Sequence, residues 1–134
     1  MINDEMRQKL IGSAAEVRKW AYAPYSKYAV GAALLTASGK IYDGVNIENA
    51  AYTDGICAER VAIFKAVSEG EREFIAIAVV TSNGGSPCGS CRQVMSEFGL
   101  KTIVIIADEH GKVIDETSVE GLLPGAFLPG DLPQ

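Results

Sequence analysis

The sequence predicts an α/β fold, and three observations carry that reading. Two nearly continuous apolar runs, Phe74 to Thr81 and Lys101 to Ala107, are of strand length. Helix-forming stretches lie before and between them, and turn residues separate the segments. A strand that is apolar at almost every position is covered on both faces, as central strands between helical layers are.

The elements follow in order. From Asn3 to Tyr22, Leu10, Ala14, Val17 and Ala21 keep the spacing of one helix face, with Asn3 or Asp4 as N-cap and Pro24-Tyr25-Ser26 as the break. Tyr28 to Thr36 and Lys40 to Asn46 read as a β-hairpin about Ser38-Gly39. A helix from Cys57 to about Glu69 stops at Gly70. After the strand Phe74 to Thr81, Ser82 to Pro87 is a loop and Gly89 to Phe98 a further helix. The tail from Gly121 is too rich in proline and glycine for regular structure.

A chain of 134 residues, 48% hydrophobic, is one domain's worth with a core of its own, so residues 1–134 are read as one domain. The N-terminus shows no signal peptide, and no run is long enough to cross a bilayer, so a soluble, cytoplasmic protein without a membrane partner is expected. Seventeen acidic and twelve basic residues give a net charge of −5, with the basic residues scattered. That balance argues against a nucleic acid polymer and for a small, largely uncharged substrate.

Cys57-Ala58-Glu59 and Pro87-Cys88-Gly89-Ser90-Cys91 use every cysteine of the chain. An odd cysteine count with a tight C-x-x-C spacing favours metal over a disulfide framework. Three thiolates leave the fourth position of a tetrahedral zinc open, as in a catalytic site. His110, in Asp108-Glu109-His110-Gly111-Lys112, reads as an exposed turn residue and not as a fourth ligand. Glu59 is then the acid that handles the protons of water at the metal. Both cysteine groups fall at helix starts, where free N–H groups and the helix dipole favour thiolate. Cys57 and Glu59, two apart, do not share a helix face, so the metal sits off the helix end. Three thiolates and Zn²⁺ carry a net −1. Arg60, on the face of Cys57, either donates to those thiolates or is a solvated surface arginine.

The pattern of a ligand two residues before a non-ligating Glu, followed by P-C-x-x-C, belongs to the zinc nucleobase deaminases. With Pro24-Tyr25-Ser26, Val30-Gly31-Ala32-Ala33, Val45-Asn46-Ile47-Glu48-Asn49-Ala50, Cys57-Ala58-Glu59-Arg60, Ser86 to Gln93 and Leu122-Leu123-Pro124-Gly125-Ala126-Phe127, the chain resembles the small cytidine deaminases over nearly its whole length. The resemblance implies a three-layer α/β/α domain around a five-stranded mixed sheet. It implies Zn²⁺ on Cys57, Cys88 and Cys91, with Glu59 as proton shuttle. The reaction implied is hydrolytic deamination of cytidine and deoxycytidine to uridine and deoxyuridine with release of ammonia, a step of pyrimidine salvage. By the same resemblance Asn46 and Glu48 bind the ribose hydroxyl, the Ala58 N–H holds the base O2, and Tyr28, where relatives often have Phe, lies near the sugar or base. Phe127, and Tyr52 with it, reaches a neighbouring subunit's site in a homotetramer. Taken alone, Asn46 and Glu48 read as ordinary edge polarity and Phe127 as an anchor for the tail.

Three rivals stand beside this reading. A deaminase of another cytosine-containing nucleoside need not bind a free ribose, which Asn46 and Glu48 suit. A structural zinc protein has no use for Glu59, and a thiol oxidoreductase on Cys88-x-x-Cys91 leaves Cys57 and Glu59 unexplained.

Overall fold

Asn3 sets the start of the first helix: its backbone is extended and its side-chain oxygen accepts the Met6 N–H at 2.8 Å, so α1 runs Asp4–Val17. The computed structural model describes residues 2–133. After α1 come the strands β1 (Gly31–Thr36) and β2 (Ile41–Val45), then α2 (Ala58–Ser68), β3 (Phe74–Val80) and α3 (Gly89–Glu97). β4 (Ile103–Ala107), β5 (Val113–Ser118) and a short α4 (Val119–Leu122) complete the order. The five strands form one sheet in the order β2-β1-β3-β4-β5. It is mixed, because β3 and β4 are parallel while the other neighbours are antiparallel.

Side-chain alternation explains why the central strands are apolar throughout. Ala33, Leu35, Ala76, Ala78, Val80 and Ile105 pack on one face against Leu10, Ile11 and Ala14 of α1. Ala32, Leu34, Ile77, Val79, Val104 and Ile106 pack on the other against Ala62, Ile63 and Ala66 of α2 and Cys91 and Met95 of α3. Each central strand, β1, β3 and β4, thus feeds two cores, and the expected three layers around a five-stranded sheet are present.

Several boundaries differ from the sequence expectation. The first helix does not reach Tyr22: it tightens to a 3₁₀ turn at Arg18–Trp20, and Tyr22 bonds instead to the segment after β2, through Tyr22 N to Asn46 O and Glu48 N to Tyr22 O. β1 begins at Gly31 and not at Tyr28, because the stretch before it forms a loop. β5 has no counterpart among the strands read from the sequence. It is an edge strand whose Ile114, Asp115, Glu116 and Thr117 are partly or wholly exposed, so it lacks the apolar run that marks a buried one. The tail is not wholly irregular either, since Leu122 ends α4 and Pro129–Asp131 forms a 3₁₀ turn. His110 lies in a turn as expected, its N–H donating to Asp108 Oδ1 at 2.9 Å. Among the described residues no helix is long and apolar enough to cross a membrane.

Gly44 brings α2 onto the sheet. A Cβ there would lie 2.5 Å from the Ala58 carbonyl oxygen and 2.6 Å from the Ala62 nitrogen, so β2 touches the backbone of the first turn of α2. Gly44→Ala is expected to cost about 1–3 kcal/mol, the usual range for overpacking, and to displace the start of α2. Urea unfolding checks this, and an unshifted midpoint would mean that the helix start yields freely.

Candidate active site

The sheet brings the site together at one end. Gly31, where β1 starts, pairs with Val45, where β2 stops, and with Val80, where β3 stops. The lead-in to β1, the exit from β2, the loop after β3 and the start of α2 therefore converge beyond the same end of the sheet, a usual place for sites in open α/β folds. They enclose an open cavity of about 650 Å³. Its lining includes Tyr28, Asn46, Glu48, Cys57, Glu59 and Cys88.

Cys57 is the N-cap of α2 and Cys88 the N-cap of α3, each with extended backbone, and neither uses its side chain to cap the helix. Cys91 sits in the first turn of α3, buried. The three sulfurs lie within 4.8 Å of one another. Cys57 Sγ and Cys88 Sγ are 3.8 Å apart. Tetrahedral zinc with bonds of about 2.3 Å sets sulfurs about 3.8 Å apart, so the donor set fits that ion. The hydrogen bond from Cys91 draws the Cys57 thiol below the ordinary thiol range, with Arg60 assisting, while the same Cys57 contact pushes Cys91 up.

Arg60 resolves in favour of the thiolates: its Nη2 donates to Cys57 Sγ at 3.5 Å. Its buried Nε has no hydrogen-bond partner among the described residues. A guanidinium held against a cluster of sulfurs offsets their negative charge.

Glu59 is the second residue of α2 and only 4% exposed. Burial pushes its carboxyl up to about 7. Ala58, buried, is the first helical residue, and helix starts leave their N–H groups without partners in the helix.

Asn46 and Glu48 both line the cavity, as the two-residue spacing implies. Each also has structural partners that sequence alone does not reveal. Glu48 Oε1 accepts the Ser26 and Tyr25 N–H groups, each at 3.1 Å, and Oε2 accepts the Ser26 hydroxyl. The Ser26 bonds, led by its hydroxyl, hold the carboxyl below the usual carboxylate range. Asn46 accepts the Val30 N–H at 2.9 Å and donates to the Tyr28 carbonyl at 2.8 Å, which leaves one donor hydrogen and one lone pair for a ligand.

Phe127 is not brought to the cavity of its own chain. Its ring is 55% exposed, and its carbonyl accepts from Gln93 Nε2 at 2.9 Å. Sequence reasoning gave Arg92 no role, yet its guanidinium donates to the Pro87 carbonyl, the Leu122 carbonyl and Ser86 Oγ, each at 2.8 Å. It ties the cysteine loop to the end of α4. The signal available was a cation next to Cys91 at the start of a helix, where the dipole offers it no support.

The chain matches the model of the cytidine and deoxycytidylate deaminase zinc-binding region over residues 4–107. A cytidine deaminase of Sporosarcina psychrophila is 52% identical over 127 residues, covering 93% of this chain and 93% of that protein. One from Halalkalibacterium halodurans is 50% identical over 129 residues, covering 94% of this chain and 97% of that protein. The crystal structure of a cytidine deaminase from Burkholderia pseudomallei matches with a TM-score of 0.86 at 46% identity, covering 94% of this chain and 100% of that one.

Proposed function

Because this chain belongs to the cytidine and deoxycytidylate deaminase family, we propose that it hydrolyses cytidine and deoxycytidine to uridine and deoxyuridine with release of ammonia, in pyrimidine salvage. The observation that carries the reading is Glu59, buried at the wall of the cavity beside the three-sulfur cluster. Zinc is the cofactor, held by Cys57, Cys88 and Cys91, and when bound it supplies a water acidic enough to act as a nucleophile near neutral pH.

Glu59 takes a proton from the attacking water and places it on ring N3 as the water oxygen bonds to C4. It then carries the second proton to the exocyclic nitrogen. The C4–N bond breaks, ammonia departs, and a carbonyl remains at C4. The Ala58 N–H faces the base O2, while Asn46 and Glu48 take the ribose hydroxyl through the bonding capacity their backbone partners leave free. Tyr28 bounds the nucleoside from the β1 side.

The lining also favours a nucleoside over its 5′-phosphate. Among the described residues that line the cavity, Arg60 is the one cation, and it donates to Cys57, whereas Glu48 and Glu59 are carboxylates. A phosphate entering there meets no free cation.

The working unit in this reading is a homotetramer in which Phe127 completes a neighbour's site. Support comes from the exposed Phe127 ring on a backbone pinned by Gln93, and from Tyr52, 81% exposed beside Tyr25 at the cavity. The cytoplasm is the proposed location, and the support is that none of the three cysteines forms a disulfide, as in a reducing compartment.

The test is an ultraviolet-absorbance assay of the purified protein on cytidine, deoxycytidine and deoxycytidylate, with released ammonia and bound zinc measured on the same sample. Turnover of both nucleosides with about one zinc per chain, and little of the nucleotide, is expected. A fully zinc-loaded protein inert toward both nucleosides would overturn the reading.

A further inference from the structure

Tyr28 and Thr81, which line the cavity, both hydrogen-bond to Asn83, and the Tyr28 hydroxyl and Asn83 have no part in the deamination steps. Asn46 holds the backbone on either side of Ala29, bonding the Val30 N–H and the Tyr28 carbonyl. The Tyr28 hydroxyl then donates to Asn83 Oδ1 at 2.6 Å. Thr81 Oγ1 approaches the same oxygen at 3.4 Å and accepts the Gly85 N–H at 2.8 Å. A Cβ at Gly85 would stand 2.4 Å from the Tyr28 hydroxyl, so the loop between β3 and α3 is folded directly around that group.

We propose that the Tyr28 hydroxyl and Asn83 are positioning residues, a clasp that joins the lead-in of β1 to the loop carrying Ser86 and Cys88 and thereby fixes the Tyr28 ring as a wall for the nucleoside. The sheet does not depend on this bond, because β1 and β3 are already paired from Gly31 and Val80 inward. The loop has more to gain from it: Arg92 holds only its far end at Ser86 and Pro87, whereas Asn83 is followed by Gly84 and Gly85, the residue type with the widest backbone freedom. A loop ordered in advance lowers the cost of ordering it when a ligand enters, so the clasp acts on binding more than on the chemical step. Phenylalanine at this position would keep the ring and lose the group that reaches Asn83.

The kinetic arm of the test rests on the cytidine reading above; the exchange arm does not. Tyr28→Phe and Asn83→Ala, singly and together, are assayed on cytidine, and amide hydrogen exchange over residues 82–88 is measured on the same zinc-loaded proteins. Each single variant is expected to raise KM about three- to tenfold with kcat within about twofold, the effect of one lost neutral hydrogen bond. The double variant is expected to be no worse than the worse single, as for two residues sharing one bond. Asn83→Asp keeps the acceptor oxygen and is expected to return KM to within about twofold of the wild-type protein. Exchange at Gly84 and Gly85 should speed up in Tyr28→Phe while that of β3 stays unchanged. Unchanged loop exchange, or KM effects that multiply in the double variant, would overturn the clasp. Absence of cytidine turnover by the wild-type protein would count against the function reading, and loop exchange would then decide the clasp by itself.

Discussion

Glu59→Gln and Glu59→Ala are expected to lower kcat by about 10²–10⁴-fold, the range over which a positioned acid–base group acts, while zinc content and fold are retained. The glutamine variant is the sharper of the two. It keeps the side chain's volume and much of its hydrogen-bonding capacity, so packing at this buried position is preserved, but an amide cannot accept a proton from water and return it to the base. The alanine variant adds a small void at the cavity wall and removes a carboxyl whose burial opposes its charge. These two stability effects oppose each other, so the unfolding midpoint should move little. Rate assays at saturating cytidine combined with metal analysis separate the outcomes. Turnover near the wild-type level would remove Glu59 from the mechanism. Loss of zinc from the glutamine variant would make Glu59 a ligand and leave the proton shuttle unassigned.

What could be read from the sequence followed from local chemistry. Cys57, Glu59 and Pro87-Cys88-Gly89-Ser90-Cys91 declare themselves because their residue types and spacings are rare together, and each group lies at a helix start that turn and propensity signals locate. β3 and β4 are legible for a similar reason: strands buried on both faces have no polar positions to blur the pattern. The unread parts depend on partners distant in the chain. Arg18 to Trp20 leave the α-helix, and the Arg18 Nε donates to the Ala29 carbonyl at 2.9 Å, a contact no helical periodicity foretells. β5 is a strand because β4 offers it an edge, not because of its own apolar residues. Asn46 and Glu48 read locally as edge polarity and gain a site role only through the resemblance, and nothing near them in the chain foretells that they hold the backbone at Val30 and Ser26. Arg92 and Asn83 were silent for the same reason, since their acceptors and donors come from other loops.

Cys88→Ala is expected to weaken zinc binding sharply and to lower turnover with it, and its contrast with Glu59→Gln distinguishes a ligand from a proton carrier. Of the three cysteines Cys88 gives the cleanest test. Cys91 is fully buried in the core that α3 shares with the sheet, so truncating it would leave a void and confuse metal loss with destabilisation. Cys57 receives the Arg60 hydrogen bond, so its loss would leave a half-buried guanidinium without that partner. Cys88 is exposed and makes no capping bond, so removing its sulfur takes little from the fold of the metal-free chain. Apparent zinc binding free energies of about 10–16 kcal/mol are shared over about four ligands, so loss of one thiolate should weaken affinity on the order of a hundredfold or more. Activity should fall at least as far, because the acidified water goes with the metal. Competition with a chromogenic chelator measures the affinity directly, and unfolding of the metal-free variant beside metal-free wild-type protein reports whether the fold is intact. Full retention of zinc by Cys88→Ala would mean that the ligand set includes a residue other than these three thiolates, and the open coordination position on which the deaminase chemistry depends would have to be assigned again.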